Sequence, residues 1–134
     1  MQKITSKKAP SPIGPYVHAV LEDYKYRLEI SGQSGRVPKT GELEVGVENQ
    51  TKQTLKNIET ILSEVGWNFD NVIKVRIYLT DMKDYSKVNS IYETFFVNGF
   101  PSRTVVSVSG LPGGALIEIE CVAGGNEIKD KLKD

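Results

Sequence analysis

An arginine and two glutamates near the C-terminal end have the clearest chemical potential in this chain. Arg103 opens a short β-branched run, and Glu118 and Glu120 lie in an alternating run over residues 115–123. A guanidinium can hold a carboxylate through two parallel hydrogen bonds, and a nearby glutamate can position water or carry a proton. If the two runs pair as a hairpin across the Gly/Pro-rich residues 109–114, Arg103 lies opposite the two glutamates.

Two interpretations of this arrangement stay open on the residues alone. One is a cross-strand salt bridge that needs no ligand. The other is a small anionic site, in which Arg103 grips a ligand carboxylate and a glutamate handles a proton or a water molecule. Because side chains alternate along a strand, Glu118 and Glu120 share one face. Side-chain alternation therefore does not show which of the two glutamates would handle the proton or the water molecule.

Five motifs extend the pattern along nearly the whole chain. They are Ala9-Pro-Ser-Pro-Ile-Gly-Pro-Tyr16, Ser31-Gly32-Gln33, Pro38-Lys39-Thr40-Gly41-Glu42, Val88-Asn89-x-x-Tyr92-x-x-Phe95-Phe96, and Pro101-x-Arg103 followed by Leu111-Pro112 and Ile117-Glu118-Ile119-Glu120. In this order, and over a chain of matching length, they resemble the RidA/YjgF family of enamine/imine deaminases.

The resemblance implies a reaction and a set of residues for it. Members of that family hydrolyse 2-imino acids and their enamine tautomers to 2-oxo acids and ammonia, without a metal or an organic cofactor. By this resemblance Arg103 would clamp the substrate carboxylate and Glu118, the first glutamate of Ile-Glu-Ile-Glu, would position water. The substrate-binding residues would be Tyr16, Ser31, Gly32, Asn89 and Val105.

Val105 is a departure from the family pattern. Many deaminase members carry cysteine at this position. Valine keeps the backbone carbonyl, so we expect activity to be retained. A regulation that depends on a thiol at residue 105 is excluded.

Two other classes of function compete with the deaminase. A non-catalytic module of the same fold that binds a 2-oxo or amino acid would need the Arg103 clamp but no water-activating carboxylate, so Glu118 favours the enzyme. A ribonuclease or translation inhibitor is disfavoured because Lys+Arg and Asp+Glu are equal at 17 each and no basic-aromatic patch is present. We expect no nucleic-acid partner.

The elements that must position these residues follow from periodicity. Leu55, Ile58 and Leu62 form one buried stripe of a helix over residues 47–65, which Gly66 ends as a left-handed cap. Asp84 is the expected N-cap of a second helix over residues 85–97. Strands are predicted over residues 3–5, 17–22, 26–32, 72–79, 103–108 and 115–123, with Ile73, Val75, Ile77 and Leu79 on one face.

This order predicts an α+β fold with a mixed β-sheet of about six strands and two helices on one of its faces. The opposite face would then hold Leu28 or its neighbours together with Val72, Tyr78 and Val106, and it needs a cover. We expect that cover to be another subunit. The family resemblance implies a chorismate-mutase-like homotrimer with a barrel-like core and a pocket in each subunit cleft.

Length and composition indicate one domain over residues 1–125 and a charged, frayed tail over residues 126–134. Cys121 is the single cysteine and is expected in the core, and His18 is expected on the surface without metal or triad partners. The N-terminal residues lack a long apolar run, and no stretch approaches the length of a membrane span. We expect a cytoplasmic protein without a membrane partner.

Overall fold

The computed structural model describes residues 1–133, which form six strands and two α-helices. Short 3₁₀ turns connect several of them, one of which, Met82–Asp84, precedes the second helix. In chain order the elements are β1 (Gln2–Ile4), β2 (Ala19–Leu21), β3 (Tyr26–Ser34), α1 (Val47–Glu64), β4 (Val72–Leu79), α2 (Tyr85–Phe95), β5 (Ser102–Ser107) and β6 (Ile117–Gly125).

The four longer strands form one mixed sheet in the order β3-β6-β4-β5. β6 is antiparallel to both β3 and β4, whereas β5 is parallel to β4. β1 and β2 form a separate antiparallel pair. Both helices lie on one face of the sheet and contact each other. The predicted α+β fold is confirmed, with its six strands divided between two sheets.

The predicted hairpin of β5 and β6 is wrong, because β4 lies between them. Arg103 is in register with Val75 of β4, and Glu118 is in register with Tyr78 on the other edge of the same strand. The Gly/Pro-rich connection therefore carries the chain past β4. Parallel pairing of β4 and β5 follows from α2, which returns the chain to the same end of the sheet.

The buried stripe predicted for α1 is confirmed, and α2 ends at Phe95, two residues before its predicted end. α1 ends at Glu64, and Gly66 follows with φ 88°, the left-handed conformation expected of its cap. The Asp84 side chain makes no capping hydrogen bond to the described residues. Asp81 caps the preceding 3₁₀ turn instead, because its Oδ1 accepts a hydrogen bond from the Lys83 amide at 2.9 Å.

A β-bulge shifts the face assignments at the start of β4. Val72 is buried and aligned with Ala123, and the register then shifts before Lys74. The inserted residue turns Ile73 toward Gly124 on the opposite face, although the alternation predicted Ile73 beside Val75. The strictly alternating pattern therefore holds only from Val75 onward.

The face of the sheet away from the helices is more polar than predicted. Leu28 and Val72 lie on the helix side and contribute to the core, so only Tyr78 and Val106 of the expected apolar set face outward. Six charged residues point outward from β3, β4 and β6: Arg27, Glu29, Lys74, Arg76, Glu118 and Glu120. The apolar outward face that led us to expect a second subunit is therefore present only in part.

Residues 126–133 are docked and not frayed. The Trp67 indole Nε1 donates to the Glu127 carbonyl at 2.6 Å, and the Lys129 amide donates to the Val65 carbonyl at 3.3 Å. These bonds hold the segment against the turn after α1. The division of the chain at residue 125 stays a prediction, and Asp134 lies outside the described residues.

Cys121 lies in the core, as predicted. Burial raises the pKa of its thiol to about 12, so the side chain stays protonated and apolar in character. His18 is half-buried and fixed at both ring nitrogens: the Ser6 amide donates to Nδ1 at 2.9 Å, and Nε2 lies 2.6 Å from the Pro10 carbonyl oxygen. It therefore anchors the N-terminal segment.

Candidate functional site

Arg103 is held by side chains of α2. Its position on β5 directs the side chain to the helix side of the sheet, where Nη1 donates to Asn89 Oδ1 at 2.8 Å. Nη2 donates to the Tyr85 hydroxyl at 3.3 Å. Two hydrogen bonds on adjacent helical turns therefore fix the plane of the guanidinium before any ligand arrives.

Three tyrosine rings surround the same cation. The Arg103 Cζ lies 4.9 Å from the ring centroid of Tyr92, 5.7 Å from that of Tyr85 and 5.8 Å from that of Tyr16. Such contacts stabilise a desolvated guanidinium. Burial raises the pKa of Tyr92 far above its usual range, so this ring stays a neutral platform.

Arg103 is a half-buried cation without a neutralising carboxylate. Within residues 1–133 it forms no ion pair, and its buried Nε has no hydrogen-bond partner. A guanidinium has five N–H donors, and Asn89 and Tyr85 use one on each terminal nitrogen. Each of these nitrogens keeps one free N–H, which suits a bidentate carboxylate. Within one chain, a salt bridge between Arg103 and the two glutamates is excluded by the strand order.

A hollow of about 550 Å³ opens in front of Arg103. Its volume lies in the range of small-molecule sites. Tyr16 and Val105, two of the predicted substrate-binding residues, line it beside Arg103, and the full set is Ile13, Tyr16, Met82, Tyr85, Ser86, Arg103 and Val105. Asn89 lies behind the guanidinium.

The absence of a side chain at Gly14 makes room for the Arg103 guanidinium and the Tyr85 hydroxyl. A Cβ atom added to Gly14 would lie 2.7 Å from the Tyr85 hydroxyl and 2.8 Å from Arg103 Nη2. Both distances are too short, so a side chain here must displace the guanidinium or the tyrosine. Gly14 therefore acts as a positioning residue for Arg103.

We expect Gly14→Ala to weaken binding of a small carboxylate ligand by about tenfold while the free energy of unfolding changes by less than about 1 kcal/mol. Titration calorimetry with a 2-oxo acid measures the first quantity and denaturant unfolding the second. Gly110→Ala is the matched control, since no described atom lies within 4 Å of its added Cβ. Equal binding by both variants would contradict this role of Gly14.

Glu118 occupies the other side of the sheet, close to the backbone of β3. A Cβ added to Gly32 would lie 2.6 Å from Glu118 Oε2. The register of β3 on β6 is irregular between Ile30 and Gln33, and this irregularity contains Gly32 and Ser31. Glycine is thus required at residue 32 by space, because any side chain would meet the carboxylate.

Glu118 and Glu120 differ in their partners, although they share a face. Glu120 Oε1 accepts a hydrogen bond from the Tyr78 hydroxyl at 2.5 Å and lies 3.7 Å from Arg76 Nη1. The hydrogen bond to Glu120 is the main cause that raises the pKa of Tyr78. In the part of the chain that the structure describes, the Glu118 carboxylate has no hydrogen-bond or ion-pair partner. Glu118 is therefore the glutamate available to a ligand or to water.

The predicted site residues fall into two groups on opposite faces of one chain. Tyr16, Asn89, Arg103 and Val105 come together on the helix side. Ser31, Gly32 and Glu118 lie on the outer side, where Ser31 borders a separate hollow of about 240 Å³ that also contains Arg76 and Glu120. Because β4 and the body of the sheet stand between the groups, a single chain does not assemble the predicted site.

Sequence reasoning missed the roles of Gly14, Tyr85 and Tyr92 around Arg103. A signal for two of them was present: Tyr85, Asn89 and Tyr92 are spaced by four and three residues and so lie on one face of α2. Among the described residues, no three His, Cys, Asp or Glu side chains are placed to hold a metal ion. Neither of the two helices has the length and apolar composition needed to span a membrane.

Comparisons with known proteins agree on one family. The family model described as endoribonuclease L-PSP matches residues 6–124. A human protein named 2-iminobutanoate/2-iminopropanoate deaminase is 46% identical over 121 residues, which cover 90% of this chain and 87% of the human one. The RutC family protein PH0854 of Pyrococcus horikoshii is 45% identical over 121 residues, which cover 90% of this chain and 94% of the Pyrococcus protein.

Solved structures give the same result. The E. coli protein TdcF, crystallised with bound serine, has a TM-score of 0.72 and 33% identity, over 92% of this chain and 98% of its own. The E. coli YjgF gene product has a TM-score of 0.71 and 35% identity, over 92% of this chain and 98% of its own.

Proposed function

Because this chain belongs to the endoribonuclease L-PSP family, which is the YjgF/RidA family, we propose that it hydrolyses reactive 2-imino acids and their enamine tautomers to 2-oxo acids and ammonia. One observation carries this proposal. Arg103 is a pre-oriented, half-buried cation without a carboxylate partner within residues 1–133, and it faces a hollow of small-molecule size. Such a group binds a small carboxylate, and every 2-imino acid has one.

Arg103 supplies orientation in this mechanism. Its two free N–H groups would hold the substrate carboxylate, while Asn89 and Tyr85 prevent the guanidinium from turning. The imine carbon, one bond away from the carboxylate, would then be fixed relative to the rest of the site. Positioning of this kind is the largest contribution that we assign to Arg103.

Glu118 positions and deprotonates the attacking water molecule in this mechanism. Its carboxylate would accept a proton from a water molecule whose oxygen bonds to the imine carbon. Glu118 would pass that proton to the imine nitrogen as the C=N double bond becomes single. The resulting carbinolamine loses ammonia when its hydroxyl oxygen forms the C=O bond, the C–N bond breaks, and the hydroxyl proton is transferred to the departing nitrogen. The net reaction consumes one water molecule and needs no cofactor.

We propose that two copies of the chain form each site. Arg103 and Glu118 lie on opposite faces, so Arg103 of one copy has to meet Glu118 of another. Ser31 and Gly32 would arrive with Glu118, since Gly32 is next to its carboxylate. A homotrimer with its sites in the subunit clefts, as the resemblance implies, meets this requirement with closed symmetry.

The alternative is a module that binds a small amino or 2-oxo acid without converting it. The serine-bound TdcF structure favours it, because serine has the carboxylate that Arg103 would hold. The Glu118 carboxylate, which has no partner among residues 1–133, favours the enzyme. A ribonuclease remains the weaker candidate, because this chain has a net charge of zero. A cytoplasmic location also stays a prediction.

Complementation between two inactive variants tests the proposed site. Arg103→Ala and Glu118→Gln should each be nearly inactive in ammonia release from imines generated in situ from alanine and 2-aminobutyrate. After subunit exchange at equal concentrations, about a quarter of the clefts in a cyclic oligomer regain both residues. We therefore expect about a quarter of the wild-type rate to return.

Two outcomes of this experiment contradict the proposal in different ways. Mixed oligomers that native mass spectrometry detects but that stay inactive would show that Arg103 and Glu118 do not serve one site from two copies. Wild-type protein no faster than buffer on every imine would leave the binding module. Unmixed variants, treated in the same way, are the control for refolding effects.

A further inference from the structure

We propose that Glu120 keeps Glu118 free to act on water by holding the Tyr78 hydroxyl, which would otherwise donate a hydrogen bond to Glu118. This inference rests on the proposed function and concerns the Glu118 half of the site. Glu120 Oε1 accepts a hydrogen bond from the Tyr78 hydroxyl at 2.5 Å. The three residues lie on two adjacent strands of one chain, so their contacts enter the site together with Glu118, whichever copy supplies Arg103.

The register of β4 on β6 places Tyr78 beside two carboxylates. Tyr78 is paired directly with Glu118, and Arg76 is paired with Glu120, on the same outward face. Directly opposed side chains of antiparallel strands begin about 5 Å apart, and an aromatic side chain also reaches its diagonal neighbour. Glu118 is thus the direct neighbour of Tyr78 and Glu120 the diagonal one. The hydroxyl nevertheless bonds to the diagonal carboxylate.

Contacts on both sides of β6 explain this choice. Arg76 Nη1 lies 3.7 Å from Glu120 Oε1 and draws that carboxylate toward β4. Glu118 instead leans toward β3, where a Cβ atom added to Gly32 would lie 2.6 Å from its Oε2. The hydrogen bond to Glu120 is the largest cause that raises the pKa of Tyr78, and the charge of Glu118 raises it further. The hydroxyl therefore stays protonated at neutral pH and is a donor within the field of both carboxylates.

A hydrogen bond from Tyr78 would make Glu118 a poorer base. Hydrogen bonding to the charged form of a carboxylate stabilises that form, so the group accepts a proton less readily. The phenol would also occupy one of the acceptor positions with which Glu118 could hold water. We expect such a bond to lower kcat by about tenfold. Because Arg103 would still bind the substrate carboxylate, KM should change by less than about threefold.

The test places Glu120→Ala on either chain of the complementing pair. Each productive cleft of that pair takes Glu118 from the Arg103→Ala chain and Arg103 from the Glu118→Gln chain. On the Arg103→Ala chain, Glu120→Ala lies beside the functional Glu118, and we expect the rate at saturating imine to fall by about tenfold. On the Glu118→Gln chain it lies beside the inactive residue, so the rate should stay within about twofold of that of the parent pair. Native mass spectrometry measures the fraction of mixed oligomers in both arrangements.

Two further variants of the Arg103→Ala chain separate the hydroxyl from a general effect of the substitution. Tyr78→Phe, added to Glu120→Ala, removes the competing donor and should restore the rate to within about threefold of that of the parent pair. Glu120→Gln keeps an acceptor for the hydroxyl and should lower the rate by less than about threefold. Glu29→Ala is the matched control, because it removes another outward carboxylate, whose partner is the exposed Arg27 at 3.7 Å.

The outcomes distinguish this inference from the proposed function. Equal losses from Glu120→Ala in both arrangements would assign Glu120 to folding or assembly and would overturn the inference. So would an unchanged rate when Glu120→Ala lies beside the functional Glu118, or a loss there that Tyr78→Phe does not restore. Inactivity of the parent pair would instead overturn the site formed by two copies, and this inference with it.

Discussion

Arg103→Ala should lower kcat/KM for imino-acid hydrolysis by about a thousandfold, because two charge-assisted hydrogen bonds to the substrate carboxylate, worth about 4 kcal/mol together, are lost. Arg103→Lys keeps the charge but loses the planar fork, so we expect a loss of about tenfold to a hundredfold. Steady-state ammonia release with the alanine imine measures both. Titration calorimetry with the 2-oxo acid product should show the same order of affinities.

Stability separates a functional Arg103 from a structural one. The guanidinium is desolvated without a carboxylate partner within residues 1–133, and its Nε has no described hydrogen-bond partner. Arg103→Met removes this unpaired charge and also the bonds to Asn89 and Tyr85, so the opposing effects should change the free energy of unfolding by less than about 1 kcal/mol. A large loss of stability, with activity falling only in proportion to folded protein, would show that Arg103 serves the fold.

Glu118→Gln should lower kcat by about two to three orders of magnitude and change KM by less than about threefold. The amide keeps the size of the side chain and one hydrogen-bonding oxygen, but it cannot accept a proton from water. Because Arg103, and not Glu118, would bind the substrate carboxylate, substrate binding should be nearly unaffected. Pre-steady-state measurement of ammonia release separates this chemical step from product release.

Glu120→Gln is the matched control for Glu118→Gln. Its amide oxygen can still accept the Tyr78 hydroxyl hydrogen, while the ion pair with Arg76 is exposed and of small value. We expect kcat to fall by less than about threefold. If Glu120→Gln caused the larger loss, Glu120 would be the water-positioning residue and the freedom of the Glu118 carboxylate would need another explanation.

Local features of this fold could be predicted from the sequence, because short-range forces determine them. The stripe of Leu55, Ile58 and Leu62 buries one face of α1, and Gly66 adopts the left-handed conformation that ends it. Strand order could not be predicted in this way. The insertion of β4 between β5 and β6 depends on contacts between distant segments of the chain. Side-chain alternation shows which residues of a strand share a face, but it does not show which strands are neighbours.

The candidate site follows the same division. The types of Arg103 and Glu118 and their motifs were sufficient to single them out. The inferred hairpin placed them side by side, whereas the structure places them on opposite faces of the sheet. The bulge before Lys74 could not be predicted from the alternation, whereas the shared face of Glu118 and Glu120 could be.

The position of β4 between β5 and β6 has a consequence for when the protein is active. If each site needs Arg103 and Glu118 from two copies, a newly synthesised chain is folded but catalytically silent until it meets others. The rate of turnover then depends on protein concentration. Dilution below the dissociation constant of the oligomer would stop turnover, although each chain would stay folded. Protection against reactive imines would therefore begin only above a threshold abundance, and a cell could adjust it through expression level alone.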